Sequence, residues 1–305
     1  MEIITYPELK NKDEFMMLME MAFWWPVVPR HFDRITQWDE RLKGSPIGFC
    51  AMENGRLASH VGVMDIPLRT LKGEVEVVGG ISAVATNPDF VNRSLAGILM
   101  EKAHRYFREK GYRFSFLCTN RTIRAHAGYK KLGYVDVECI NHIPSVYKIL
   151  KKNSSAKKPT KRELNPNKVY SLFEKFVKDK TGFVIRQKDF VKLYLFRKSI
   201  DRKAFVLTRD GYAFLNKDRG ATRIHEMVAS DETTYRKLVI ESERMSTGII
   251  IHRSVHDPKL LKVYQSRGYK TQLGSNSVLM VKPLDKIDYR EVFGDSIYLG
   301  FLDWF

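Results

Sequence analysis

The residues best placed to do chemistry lie between positions 79 and 112, in the run GGISAVATNPDFVNRSLAGILMEKAHRYFREKGY. A β-branched stretch ends at Thr86 and Pro88, a short loop follows, and Leu95, Ile98, Leu99, Ala103 and Phe107 then recur at helical spacing. The first amides of such a helix have no intrahelical acceptor and sit at the positive end of its dipole, so they can hold phosphate oxygens. Arg93 adds a charge there, and Ser94, Ala96 and Gly97 are small enough to let a pyrophosphate approach the backbone. A second cluster lies in residues 23–40. There Trp24, Trp25, Phe32 and Trp38 either wall a pocket, with Asp33 and Asp39 attracting a positive charge, or pack a core. Cys50, Cys118 and Cys139 show no CxxC spacing, and no Ser-His-Asp or Cys-His arrangement is legible. Neither a zinc ribbon nor an acyl-enzyme is implied.

These residues need a scaffold, and the apolar patterning predicts a mixed α/β one. Residues 13–25 read as a helix and 47–52, 58–68 and 74–86 as consecutive strands. The helix at 92–109, a strand at 114–118 and a helix at 123–132 complete the first half. Residues 150–168, poor in apolar side chains and rich in Lys, Ser, Pro and Asn, read as a basic linker. A chain of 305 residues is long enough for two domains, and 44% hydrophobic with 29% charged residues excludes a disordered chain. The apolar stretch 15–28 is broken by Glu20 and Pro26 and too short to span a bilayer, and the first residues lack a signal-peptide pattern. The expectation is a reduced, cytoplasmic protein with no membrane partner. The net charge of +17 marks either a solvated basic surface or contact with a polyanion. No RNA-binding signature accompanies it, so nucleic acid is a possible partner but not the favoured one.

The second half echoes the first. Tyr129-Lys-Lys-Leu-Gly133-Tyr134 recurs as Tyr264-Gln-Ser-Arg-Gly268-Tyr269, and at the same offset of 135 the strand starting at Phe114 meets Ile249. Glycine after a helix is a common cap, but a matched strand-to-helix distance favours duplication. At this offset the loop before the long helix falls at about 221–235, where Ser230, Asp231 and Glu232 open the next helix. Carboxylates there stabilise the helix and repel a pyrophosphate, so the second copy is expected to bind no phosphorylated cofactor.

The run ISAVATNP, the small-residue helix start and AHAGYKKLGY, in this order, resemble the GNAT acyl-CoA N-acyltransferases. The similarity is closest to the Eis-like (enhanced intracellular survival) branch, whose chains carry two GNAT-type domains. It covers about residues 47–137. The resemblance implies that backbone groups of Val84, Ala85 and Thr86 bind a pantetheine arm. It places the pyrophosphate on Val91, Asn92, Arg93, Ser94, Leu95 and Ala96. Val91 stands where the family has Arg or Gln, and Ser94 where it has Gly. One charge-assisted contact is thereby lost, worth about 1.5–3 kcal/mol unless Arg93 replaces it. Asn120 and Thr122, just before the tyrosine helix, are further candidate contacts to pantetheine or adenosine.

Tyr129 matches the family's tyrosine beside the CoA sulfur. With an ordinary pKa near 10 it stays protonated and can donate to the leaving thiolate; the alternative is an aromatic packed under its helix. Eis-like enzymes use the carboxylate of a terminal Phe as base, and this chain ends IYLGFLDWF, with Phe305 last. So apolar an end should dock, either in its own domain or at the active site.

The sequence is therefore read as an α/β chain with mixed α+β sheets and two tandem GNAT-type domains. A catalytic, acetyl-CoA-binding domain spans 1–149, the linker 150–168, a degenerate GNAT-like domain 169–285 and a docked apolar tail 286–305. The function expected is acetyl transfer from acetyl-CoA to a primary amine, on a small molecule or a protein lysine, by direct attack and without a metal. The rivals are a non-catalytic GNAT-fold binding protein and an RNA-directed acyltransferase. A homo-oligomer is compatible with the sequence, which leaves the oligomeric state and the acceptor open.

Overall fold

The β-branched and aromatic runs of the first half become strands β1 (Glu2–Thr5), β2 (Gly48–Glu53), β3 (Arg56–Arg69), β4 (Val75–Thr86), β5 (Phe114–Asn120) and β6 (Val135–Asp136). The structure, a computed structural model, describes residues 1–25, 28–137, 142–150, 164–197, 200, 204–218, 220–246, 248–273 and 276–305. Two helices, α1 (Lys12–Phe23) and α2 (Pro29–Trp38), precede β2. Helix α3 (Leu95–Glu109) joins β4 to β5, and α4 (Arg124–Lys131) joins β5 to β6. β1 to β4 pair antiparallel in sequence order, whereas β4 and β5 pair in parallel because α3 carries the chain back across the sheet. Leu99, Ala103 and Phe107 of α3 are fully buried against Val61, Val63, Ile81 and Leu117 of the sheet.

The second half repeats this order. β7 (Ser145–Ile149), α5 (Pro166–Phe176), β8 (Thr181–Gly182), α6 (Phe190–Arg197) and β9 (Phe205–Leu207) lead into β10 (Gly211–Asp218) and β11 (Ala221–Ala229). Then α7 (Glu232–Met245), β12 (Ile249–His252), α8 (Pro258–Ser266), β13 (Lys270–Gln272) and β14 (Ser277–Pro283) follow, and the chain closes with α9 (Tyr289–Phe293) and β15 (Ile297–Tyr298). β5 begins at Phe114 and β12 at Ile249, and β6 begins at Val135 and β13 at Lys270, the offset of the sequence repeat. Gly133 and Gly268 end their helices at φ 88° and 76°, a left-handed cap that a side chain would strain.

The domain limits differ from those expected. One compact unit comprises residues 1–137, 276–295 and 305, the other 138–275 and 296–304. The sheet of the first unit runs β1-β2-β3-β4-β5-β14-β6, so its sixth strand comes from what had been assigned to the second domain. The sheet of the second runs β13-β7-β12-β11-β10-β9, with β7 taken from the end of the first half. Each copy thus gives its last strand to the other's sheet. Val278 to Val281 of β14 are fully buried, which binds this strand to its sheet as firmly as any in the core. Most of the expected linker, residues 151–163, lies outside the described residues, and its end from Pro166 is already helix α5.

Candidate functional site

β4 and β5 pair through Gly79↔Ser115, Gly80↔Phe116 and Ile81↔Leu117 and then part, although β4 continues to Thr86 and β5 to Asn120. The cause is a bulge. The β3–β4 register shifts between His60 and Gly62, and Ala83 sits at φ 47°, in the left-handed region. His60, buried in β3, donates from Nδ1 to the Ala83 carbonyl at 2.9 Å, and burial pushes its pKa down to about 4, so the ring is neutral. Gly48 makes room for that ring, because a Cβ there would lie 2.2 Å from His60 Nε2. Ser59 Oγ donates to the Ala85 carbonyl at 2.8 Å and lies 3.0 Å from Thr86 Oγ1. Val84, Ala85 and Thr86 therefore border a cleft with a fixed backbone. His60 and Ser59 were invisible as site residues, because on a strand they read as ordinary alternation.

The loop from β4 to α3 is shaped for an anion. Asn92 and Ser94 take φ 64° and 57° on either side of Arg93, the alternation by which successive amides can face one point. Ser94 is the N-cap yet makes no side-chain cap bond, and the Ile98 amide is the first of α3 to bond back, to the Ser94 carbonyl. The amides of Leu95, Ala96 and Gly97 thus precede the helical ladder. Ser94 occupies the left-handed conformation that favours glycine, so the loop keeps that backbone geometry at the cost of strain. Val91 is half exposed and brings no charge. The Arg93 guanidinium lies 5.4 Å from the Phe90 ring centre and that of Arg56, which also bonds Asp89, lies at 5.3 Å. From Ser94 an open groove of about 590 Å³ follows the exposed face of α3, lined by Gly97, Ile98, Lys102 and Arg105 among others. Lys102 and Arg105 were not foreseen; their spacing from Ser94 and Ile98 is the helical signal for a shared face.

Tyr129 lies on α4 and packs, half buried, on the same core as Val84, with its ring edge-on to Tyr134 at 6.1 Å. Burial pushes its pKa up to about 12, and its hydroxyl has no hydrogen bond among the described residues. Asn120 is at the end of β5, and its Oδ1 accepts from the Thr122 amide and hydroxyl at 2.9 and 2.8 Å, shaping the turn into α4. Phe305 is counted in the first unit, with its neighbour Trp304 in the second. Cys50 is buried and its thiol pushed up to about 12 by burial, which leaves no thiolate there for nucleophilic attack.

The aromatic cluster at 23–40 divides. Phe32 is buried and Trp25 half buried, and both pack with Tyr6 and Phe15 in a core, the packing alternative of the two weighed for them. Trp24 is 79% exposed at the left-handed end of α1. Trp38 lies under the Arg34 guanidinium. Asp33 is paired with Lys12 at 3.0 Å, and the buried Asp39 takes two bonds from Arg41 at 2.8 and 2.7 Å. Both carboxylates are thus neutralised from within the chain.

The second unit carries the matching strands in a different state. β11 and β12 pair to Ile224↔His252 and then part, as β4 and β5 do after Ile81↔Leu117. Here the strand runs on to Ala229 and α7 starts at Glu232, so only two residues stand where the first unit has a loop of eight. Residues 221–229, expected within a loop, are strand. Asp231 accepts from the Thr234 amide at 2.8 Å, capping the helix start. Tyr264, the echo of Tyr129, is fully buried with its hydroxyl 2.9 Å from His252 Nδ1.

Comparison with known proteins bears on the first part of the chain. Residues 4–135 match the model of the acetyltransferase (GNAT) domain. This stretch is a GNAT domain. Among solved structures, a GCN5-related N-acetyltransferase from Kribbella flavida is 17% identical at TM-score 0.64, covering 93% of this chain and 72% of that one. Eis1 from Mycobacterium abscessus is 14% identical at TM-score 0.61, covering 93% and 74%. Saccharomyces cerevisiae N-myristoyltransferase with bound myristoyl-CoA is 11% identical at TM-score 0.61, covering 98% and 89%. At such identities the likeness is one of fold. No curated protein is significantly similar in sequence. The GNAT match supports acyl transfer as the general chemistry of the domain. Among the described residues no helix is long and apolar enough to cross a membrane, and no group of His, Cys, Asp and Glu is arranged to hold a metal ion.

Proposed function

We propose that this protein transfers an acetyl group from acetyl-CoA to a primary amine, with catalysis confined to the first unit. The observation that carries the reading is the parting of β4 from β5 beside a left-handed loop that leads into the unbonded amides of α3. An extended thioester arm can add to the free side of residues 82–86 as a strand would, while its pyrophosphate takes the loop amides. Lys102 and Arg105 face the groove beyond and can balance further phosphate charge.

The amine attacks the thioester carbonyl directly, forming the new C–N bond. As the tetrahedral intermediate collapses, the C–S bond breaks and the thiolate takes a proton from Tyr129. A hydroxyl held protonated by burial, with no hydrogen-bond partner among the described residues, suits that role. The carboxylate of Phe305 accepts the proton that the amine sheds. Asp33 and Asp39, the other carboxylates considered, are already ion-paired.

The test is a titration of acetyl-CoA by calorimetry, expected to give one site per chain and to raise the melting temperature by mass action. Ser94→Glu puts a carboxylate where phosphate oxygens belong and should abolish binding. Two sites per chain, or binding untouched by Ser94→Glu, would overturn the assignment.

A further inference from the structure

No residue of α4 is fully buried, so the helix that carries Tyr129 is held mainly from outside itself. The first buried residue after it is Tyr134. Tyr134 reaches Tyr129 twice. Its amide donates to the Tyr129 carbonyl at 3.1 Å, and its ring stands edge-on to the Tyr129 ring at 6.1 Å, an arrangement that aromatic pairs favour. Bonds between His126 and Asp136 and from Lys282 to the Leu132 carbonyl also fasten the helix. Among the described residues, however, Tyr134 is the aromatic that meets the Tyr129 ring.

Tyr134 is itself locked. Its hydroxyl shares hydrogen bonds with His104 Nε2 at 2.9 Å and with Ser115 Oγ at 2.7 Å, and all three side chains are buried. Burial lowers the His104 pKa to about 4, so that ring is neutral. Desolvation offsets much of what such bonds contribute to stability. What a satisfied buried network supplies is a single arrangement, here a Tyr134 ring tied to α3 on one side and β5 on the other.

In the second unit the bonds fall on the other tyrosine. At the offset of 135, Ser115 is matched by the buried Ile250 and Leu117 by His252, which bonds Tyr264, the echo of Tyr129. There the helix tyrosine is tied. In the first unit the supporting tyrosine is tied instead, and the Tyr129 hydroxyl has no hydrogen-bond partner among the described residues. We infer that Tyr134, held by His104 and Ser115, is a positioning residue that sets where the Tyr129 phenol stands without engaging its hydroxyl. The inference rests on the reading of Tyr129 as proton donor to the thiolate.

Two measurements on the full chain test it. In protein carrying ¹³C at tyrosine Cζ, the Tyr129 signal is identified by its loss in Tyr129→Phe. That signal should shift or split in His104→Leu. With acetyl-CoA and butylamine, His104→Leu should lower kcat about tenfold or more at unchanged acetyl-CoA affinity, as expected of a misplaced proton donor. His104→Gln, whose amide can replace Nε2, should recover most of the loss. Ser115→Ala removes one bond and little bulk, and should act in the same sense if His104→Leu does not fold. In a Tyr129→Phe background the same changes should leave kcat where it is, whereas general loosening of the domain would lower both backgrounds alike. An unmoved Tyr129 signal overturns the inference, and so does an equal fall in the two backgrounds. Should Tyr129→Phe turn over as fast as the native chain, the acid reading falls and takes the inference with it. If the native chain leaves butylamine untouched, the carbon spectra alone uphold or overturn the placement.

Discussion

The two units part their strands at corresponding pairs, Ile81↔Leu117 and Ile224↔His252, and use the resulting clefts in opposite ways. In the first, an eight-residue loop with two left-handed residues leads to helix amides that precede the helical ladder, and Tyr129 has no hydroxyl partner among the described residues. In the second, the loop shrinks to two residues, Asp231 caps the helix, Tyr264 is tied to His252, and the chain's own end fills the space. The gap between the strands is a property of the sheet. Whether it receives a ligand or a piece of the same chain depends on the few residues between strand and helix, and on what lies near enough to enter.

The largest effect expected from this contrast is on turnover. Tyr129→Phe should lower kcat by ~10²–10⁴ while acetyl-CoA affinity survives, since only the proton is removed. Tyr264→Phe should leave kcat alone and instead cost about 1–3 kcal/mol of stability, because His252 loses its partner. Denaturant melts and steady-state rates on the same pair of variants check both halves. Equal turnover for Tyr129→Phe and wild type would remove the distinction between the two tyrosines.

Restoring the family's charge sharpens the comparison from the other side. Val91→Arg should tighten acetyl-CoA by about 1.5–3 kcal/mol, roughly ten- to a hundredfold, if the pyrophosphate lies on this loop. Calorimetry showing no gain would place the phosphates elsewhere.

Acid should destabilise both units. Burial depresses His60 and His256 to about 4 and His252 to about 3, against an unfolded value near 6.5. The unfolded chain therefore binds more protons. The stability held by these neutral rings is complete above about pH 6.5 and is lost as pH falls toward 4 and then 3, at up to about 1.4 kcal/mol per pH unit for each ring. Urea midpoints measured from pH 7 to 4 should fall accordingly, and His252→Gln should flatten the decline.

The smallest effect concerns strain. Ser94→Gly removes the left-handed penalty at φ 57° and loses no cap bond, so stability should rise by about 0.5–1 kcal/mol without loss of acetyl-CoA affinity. A drop in stability would mean that the Ser94 hydroxyl does work in the loop.

The sequence by itself determined the elements and their order. Apolar spacing at 95–107 placed α3, the repeat of Tyr129 and Gly133 at Tyr264 and Gly268 placed the second copy, and the residue types at 91–96 marked the loop proposed to hold phosphate. These are local signals, written in periodicity and turn chemistry over a few residues. The tertiary structure alone decided which sheet each last strand joins, since the partners of β7 and β14 lie far along the chain. It decided as well that Trp25 and Phe32 are core, that His60 holds the bulge, and that Arg186 meets Asp303 across 117 positions. Ion pairs and burial depend on distance in space, and a chain that folds back many times brings together residues that no window of sequence contains.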